Sequence, residues 1–167
     1  MQRDITVRAA VVDDVPFLWD MAWEAAAVAP HVRNMGKETA LALPEIRKYL
    51  DGWGQTGDSA VVATELGGRR LGAAWYRLFP AYAPGYGWVS EDIPELSIGV
   101  IPDARGQGVG GRLLEEIKSL AQAQGYEALS LSVDRANPAL RLYERHGFRD
   151  AGVSQPSDSS LTMLVRL

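Results

Sequence analysis

Two spacings of apolar residues alternate along the chain: short runs in which almost every position is apolar, and longer segments in which apolar positions recur every three or four residues. ITVRA at 5–9 predicts a first strand, and DDVPFLWDMAWEAAAVA predicts a helix that starts near Asp13 or Asp14, tolerates Pro16 in its first turn and is stopped by Pro30. A second helical stretch is expected over 39–50, ended by the glycine-rich GWGQTGD. SAVVATEL and RRLGAAWYRLF read as strands of an antiparallel hairpin turning at Gly67-Gly68. After the long loop at 80–94 come a strand (ELSIGVI), a helix (GVGGRLLEEIKSLAQAQG), a strand (ALSLSV), a helix (ALRLYERHG) and two closing strands (FRDAGVSQ and LTMLVRL) joined by a polar turn at 156–160. Hairpins thus flank a central strand–helix–strand unit. That order predicts an α/β (α+β three-layer) fold, with one mixed, mainly antiparallel sheet and helices on both faces.

A length of 167 residues suits a single domain, expected over 1–167, and 47% apolar with 23% charged residues is ordinary for a globular protein. The net charge of −4 and the scattering of 17 basic residues give no footprint for a nucleic-acid partner. Without cysteine, disulfides, thiolate metal sites and a thiol nucleophile are excluded, and two distant histidines offer no basis for a metal. No run approaches the roughly 18 apolar residues of a membrane span, and no basic-then-apolar leader is seen, so a cytoplasmic protein without a membrane partner is expected.

Chemistry concentrates in IPDARGQGVGGRLLEEI at 101–117, where Gly106, Gly108, Gly110 and Gly111 follow a strand and open a helix with apolar positions Val109, Leu113, Ile117 and Leu120. Main-chain amides crowded at a helix N-terminus suit a phosphate, and Arg105 beside them can add charge-assisted donors. A Walker A loop fails, because the Gly-Lys-Ser/Thr ending is missing. The dinucleotide pattern G-x-G-x-x-G is met by Gly106, Gly108 and Gly111, with Asp134 at the end of the next strand. Its context is not met: Pro-Asp-Ala-Arg separates strand from glycine, and a single strand–helix–strand unit lies in mid-chain.

ELSIGVIPDARGQGVGGRLL resembles the signature strand, loop and helix of the GNAT superfamily of acetyl-CoA-dependent N-acetyltransferases, with Arg105, Gly108 and Gly110 in its Arg/Gln-x-x-Gly-x-Gly/Ala core. NPALRLYERHGF resembles the family's second motif, with Asn137 and Tyr143 in place. The resemblance implies acetyl-CoA as the acyl donor and a split between the central strands, caused by a bulge near Gly99. Backbone groups of Ile98, Gly99 and Val100 would pair with the pantetheine arm. Amides across Arg105, Gly106, Gln107, Gly108, Val109, Gly110 and Gly111 would hold the diphosphate, Asn137 would contact the cofactor and Tyr143 would point toward its sulfur. A homodimer is left open.

Acetyl transfer to an amine requires a neutral nucleophile, a stabilised oxyanion and a protonated leaving thiolate. Glu95, Ser97 and Gly99 share one side of their strand, and if Leu96, Ile98 and Val100 pack under a helix, Glu95 borders the cleft as a general base. Tyr143 is the candidate acid, with a buried structural aromatic as its alternative. Asn137-Pro138 also reads as an ordinary helix cap, and Asp134 and His146 read as structural. Trp19, Trp23, His31, Trp75, Tyr76, Tyr82, Tyr86 and Trp88 form an aromatic-rich set; of these Trp23, His31, Trp75, Tyr82, Tyr86 and Trp88, with Glu95, are the acceptor-side candidates, although Trp19 and Trp23 equally fit one packed helix face. A small-molecule amine is the leading acceptor, a peptide or protein N-terminus or lysine the next, and a noncatalytic acyl-CoA sensor the alternative of another class.

Overall fold

A computed structural model describes residues 4–167; Met1, Gln2 and Arg3, which the expected domain bounds include, lie outside the described residues. Seven strands form one sheet: β1 (Ile5–Ala9), β2 (Ser59–Glu65), β3 (Arg70–Arg77), β4 (Glu95–Val100), β5 (Ala128–Asp134), β6 (Arg149–Asp150) and β7 (Ser160–Arg166). Their order across the sheet is β1-β2-β3-β4-β5-β7-β6, and every neighbouring pair is antiparallel except β4-β5. The mixed, mainly antiparallel sheet read from the element order is the one observed.

β2 and β3 are apolar at nearly every position because both faces of the sheet are covered. On one face Val61, Ala63, Ala74, Tyr76 and Leu96 pack under α5 (Val109–Ala123), whose stripe Val109, Leu113, Ile117, Ala121 is buried at helical spacing. On the other, Ala60, Val62, Ala73 and Trp75 pack against Leu18, Met21 and Ala22 of α1 (Val15–Ala26) and against Leu50.

Three elements differ from the sequence reading. Pro30 does not merely stop α1; it occupies the first turn of α2 (Pro30–Met35), where its missing N–H has no intrahelical role. The helix expected over 39–50 is two short ones, α3 (Lys37–Ala42) and α4 (Pro44–Arg47), because Pro44 lacks the amide that would continue α3. Of FRDAGVSQ only Arg149 and Asp150 pair as β6, and Gly152, at φ 78°, turns the chain away. The Gly67-Gly68 hairpin is present, both glycines having positive φ.

The sheet consists of two antiparallel halves. β5 and β7 pair along their length, from Ala128↔Arg166 to Asp134↔Ser160. β4 and β5 meet only at Glu95↔Ser130, helped by the Ser130 amide donating to Pro94 O at 3.0 Å, and beyond that point they diverge. The expected bulge is absent: β3-β4 register runs without a shift from Gly72↔Val100 to Arg77↔Glu95, and the irregularity recorded on this side of the sheet lies at Ala63/Thr64 in β2. Gly99 is explained instead by the close approach of α1, since a Cβ there would collide with the Met21 carbonyl.

Candidate active site

The mouth of the split is formed by the turn from β4 into α5. Gly106 and Gly108 have φ of 73° and 86°, a conformation that costs a residue with a Cβ about 1–2 kcal/mol. Arg112 is the first residue of the turn to return to a regular bond, donating to Gly108 O at 3.2 Å; among the described residues the amides of Gly106, Gln107, Gly108, Val109, Gly110 and Gly111 donate to no protein acceptor. Six free donors at the positive end of a 15-residue helix fit a diphosphate. Gly110 and Gly111 have a second role, because Cβ atoms there would press on Leu142 and His146 of the segment carrying α6 (Ala139–Arg145).

The Arg105 guanidinium does not lie free beside these amides. It is paired with Glu24 of α1 at 2.7 Å, and its Nε donates to Val100 O at 3.3 Å. In the split itself, strand register decides which groups are available. The Ile101 amide donates to Leu71 O of β3, so alternation directs the backbone of Gly99 toward β3 and that of Ile98 and Val100 toward the gap. Of the three residues expected to meet a pantetheine arm, Ile98 turns both backbone groups to the gap and Val100 its amide, the Val100 carbonyl being taken by Arg105.

Glu95 stands at the foot of the gap, on the α1 side of β4 with Ser97 and Gly99, while Leu96 packs under α5. The Glu95 carboxyl is buried (3% exposed) and accepts the Gly87 amide on Oε1 at 2.9 Å, with the Tyr49 hydroxyl close by across Gly85. Burial pushes its pKa up from 4.5 to about 7, outweighing the opposing effects of Tyr49, Gly87 and the more distant Lys48 charge. Arg77, its cross-strand partner, exerts no such effect because its guanidinium is held by Asp58 at 2.7 and 2.9 Å and by the Lys48 and Asp51 carbonyls. Glu95 thus places a buried carboxyl, with a pKa raised to about 7, where the two half-sheets part.

Tyr143 is buried on α6, edge-on to Phe148 at 6.0 Å, and burial pushes its hydroxyl well above the usual phenol range. Asn137 Oδ1 accepts the Ala139 amide at 2.9 Å, so its capping role is realised and its amide nitrogen stays open. Asp134 accepts the Ala136 amide in the following turn, and the His146 carbonyl accepts from Lys118. Both have structural work.

The acceptor-side candidates are not gathered in one place. Trp75 is 1% exposed inside the α1-facing core and its indole N–H has no protein acceptor. Trp23 is half-buried on α1, and His31 is exposed on α2. Tyr82 and Tyr86 project from the 80–94 loop at 90% and 60% exposure, and Trp88 is tied into the same loop by donating to Phe79 O at 2.9 Å. Sequence reasoning missed Tyr49, Gly85, Gly87 and Ser130. A Cβ on Gly85 would strike Glu95 Oε1 and lie 2.9 Å from the Tyr49 hydroxyl, and one on Gly87 would lie 2.5 Å from the Leu131 backbone. The paired glycines of APGYGW were the available signal; Tyr49 and Ser130 carried none. Ser130 Oγ, fully buried on the Glu95 side of β5, has no hydrogen-bond partner.

A gapped mixed sheet with an amide-rich loop at one end of the gap and a buried carboxyl at the other defines an acyl-transfer fold. Residues 37–148 match the model of the acetyltransferase (GNAT) family, and the chain belongs to that family and is an acetyltransferase. It is 28% identical over 148 residues, 88% of this chain and 81% of the relative, to an L-methionine sulfoximine/L-methionine sulfone acetyltransferase of Pseudomonas paraeruginosa. It is 33% identical over 96 residues to a mycothiol acetyltransferase of Clavibacter sepedonicus, matching 57% of this chain but only 28% of that protein. The fold superimposes on the crystal structure of a ribosomal-protein-alanine N-acetyltransferase from Brucella melitensis with a TM-score of 0.69 and 27% identity, covering 97% of this chain and 99% of the other.

Proposed function

We propose that the protein transfers the acetyl group of acetyl-CoA directly to a primary amine of a small molecule, both substrates being bound together. The observation that carries this reading is the placement of Glu95, a buried carboxyl with a pKa of about 7, at the foot of a gap whose mouth offers six unpaired amides. Acetyl-CoA supplies the activated acyl group. The amides of residues 106–111 hold its diphosphate, and the gap-facing backbone of Ile98 and Val100 aligns the arm that leads to the thioester. Glu95 takes a proton from the acceptor ammonium so that nitrogen can attack the acetyl carbon. A gap-facing amide of β4 supports the negative charge that develops on the carbonyl oxygen, a donor worth roughly 3 kcal/mol. The C–S bond then breaks as the Tyr143 hydroxyl, kept protonated by burial, gives its proton to the sulfur, and the second proton, leaving the nitrogen as the amide forms, restores the phenol.

Relatives that acetylate an amino-acid sulfoximine or sulfone and mycothiol support a small acceptor. Tyr82, Tyr86 and Trp88, on the loop whose Gly87 binds Glu95, supply the candidate walls for it. A peptide N-terminus is the second reading, favoured by the likeness to the ribosomal-protein-alanine enzyme. A cytoplasmic location, a single domain over the whole chain, a homodimer and the absence of a nucleic-acid or membrane partner complete the proposal; among the described residues no helix is long and apolar enough to cross a membrane. The test is an acceptor panel of amino acids, amino sugars, polyamines and short peptides, read by release of free CoA thiol. Turnover of a small amine is expected, and transfer to peptides alone would replace the first reading by the second.

A further inference from the structure

Tyr49 follows α4 in the chain, in a segment that neither the glycine loop nor the aromatic loop contains. The segment is anchored by Arg77 of β3, which donates to the carbonyls of Lys48 and Asp51 at 2.9 and 2.7 Å, so the Tyr49 backbone is fixed relative to β4. Its ring stands edge-on to Phe79 at 5.2 Å. The hydroxyl accepts the Tyr86 amide at 2.8 Å and faces the Glu95 carboxyl across Gly85, where a Cβ would lie 2.9 Å from the one and strike Oε1 of the other. An oxygen that accepts from an amide has its one proton free to point at a neighbouring acceptor, and the carboxyl of Glu95 is the acidic group beside it. Gly85 leaves room for this contact, since a Cβ there would occupy the space of both groups.

We propose, resting on the reading of Glu95 as the base, that Tyr49 is its positioning residue: the hydroxyl fixes the carboxyl's orientation and locks it to the main chain of the 80–94 loop. Gly87 and Tyr49 together make the base and the loop one hydrogen-bonded unit, so the acceptor-side loop is in register with the carboxyl when a substrate arrives. The charged and titratable groups around Glu95 are few. Lys48, from the same segment as Tyr49, donates to Pro84 O at 2.7 Å and lies over the exposed Tyr86 ring at 5.3 Å; Arg77 on β3 is neutralised by Asp58. Among the described residues Tyr49 is thus the neutral side-chain donor placed to favour the ionised carboxyl, and burial pushes its own hydroxyl up, so that it stays protonated at neutral pH.

The test is a titration of protein labelled with 13Cδ-glutamate, the Glu95 signal being assigned by its loss in Glu95→Gln. In Tyr49→Phe the midpoint is expected to rise by about one to two pH units from the parent value, the equivalent of one hydrogen bond to a charged group. The Tyr86 amide, having lost its acceptor, is expected to exchange with solvent at least ten-fold faster. Placing 3-fluorotyrosine at position 49 alone makes the phenol a stronger donor and should lower the midpoint, with no change in shape if Tyr49→Phe fails to fold. An unmoved midpoint in either folded variant overturns the proposal. Its fate is separable from that of the base: an active Glu95→Gln would remove the base reading whatever the titration shows, whereas an inactive one with an unmoved Tyr49 midpoint removes the positioning role alone.

Discussion

The Gly87 amide donates to Glu95 Oε1 at 2.9 Å, and Gly87 itself rests on the backbone of Leu131 and Ser132. A residue of the long loop therefore bridges the Glu95 carboxyl and the opposite half-sheet close to the Glu95↔Ser130 pairing. Glu95→Gln keeps the acceptor oxygen for Gly87 but removes the proton site. The expected outcome is a loss of about 10²–10⁴-fold in kcat/KM with acetyl-CoA affinity unchanged, together with loss of an acid limb that in the parent rises through a pH of about 7. Because the folded-state pKa is raised, the native protein holds a proton that the unfolded chain has released, so Glu95 lowers stability as pH rises from 4.5 to about 7. Urea titrations should find Glu95→Gln equal to the parent near pH 4 and more stable by roughly 3 kcal/mol above pH 7. A variant equally stable at both pH values would contradict the burial account.

Gly108→Ala separates donor binding from acceptor chemistry. A Cβ at φ 86° meets open space, so the added cost is backbone strain, about 1–2 kcal/mol if the left-handed turn is kept. The turn relaxes to avoid that strain and misaims the amides it carries. Isothermal titration should show acetyl-CoA binding weakened roughly ten-fold while the acceptor KM is unchanged; a ten-fold loss spread equally over both substrates would argue against a dedicated phosphate turn.

The order of hairpin, crossover and hairpin was legible because apolar spacing is a local property, and the faces of β4 followed from alternation alone: Leu96 lies under α5 and Glu95 on the other side, as expected. Helix ends at Pro30 and Pro44 were misjudged because a proline that ends one helix can begin the next. The turn into α5 is legible from Gly106 and Gly108, whose positive φ needs glycine, whereas Gly99, which the family resemblance links to a bulge, owes its place to Met21 O of α1, a contact far away in the chain. Tyr49 had no local mark at all. Its place beside Glu95 is set by Arg77 and Asp58, a tertiary contact that no periodicity reveals.

Asp14 is fully buried and receives Arg8 at 2.7 and 2.9 Å, Arg70 at 2.8 Å and the Val11 amide at 2.8 Å, joining β1, β3 and the start of α1. These bonds, led by the one from Arg8, hold its carboxyl far below the usual carboxylate range. Its contribution is present above the unfolded pKa of roughly 4 and is lost as pH falls toward the folded value. Asp14→Asn should cost about 2–4 kcal/mol at pH 7, less than a fully enclosed pair because both arginines are partly exposed, and the deficit should shrink steadily below pH 4. Thermal melts at pH 7 and pH 3 check the sign; a constant deficit would mean that packing, not charge, accounts for the loss.

Tyr143→Phe removes one hydroxyl from a ring whose packing against Phe148 is otherwise retained, so the melting temperature should move little. If the hydroxyl protonates the departing sulfur, kcat should fall by about 10²-fold without a change in acetyl-CoA affinity. The phenol is raised by burial, so it is fully protonated up to pH 10 and contributes no descending limb to the parent profile below that pH. The need for an acid depends on how basic the leaving thiolate is. An acetyl thioester of CoA modified to make its thiol more acidic should therefore narrow the gap between variant and parent. A gap that stays constant across thiols of different acidity would move Tyr143 from proton donor to packing partner, whatever the size of the loss in kcat.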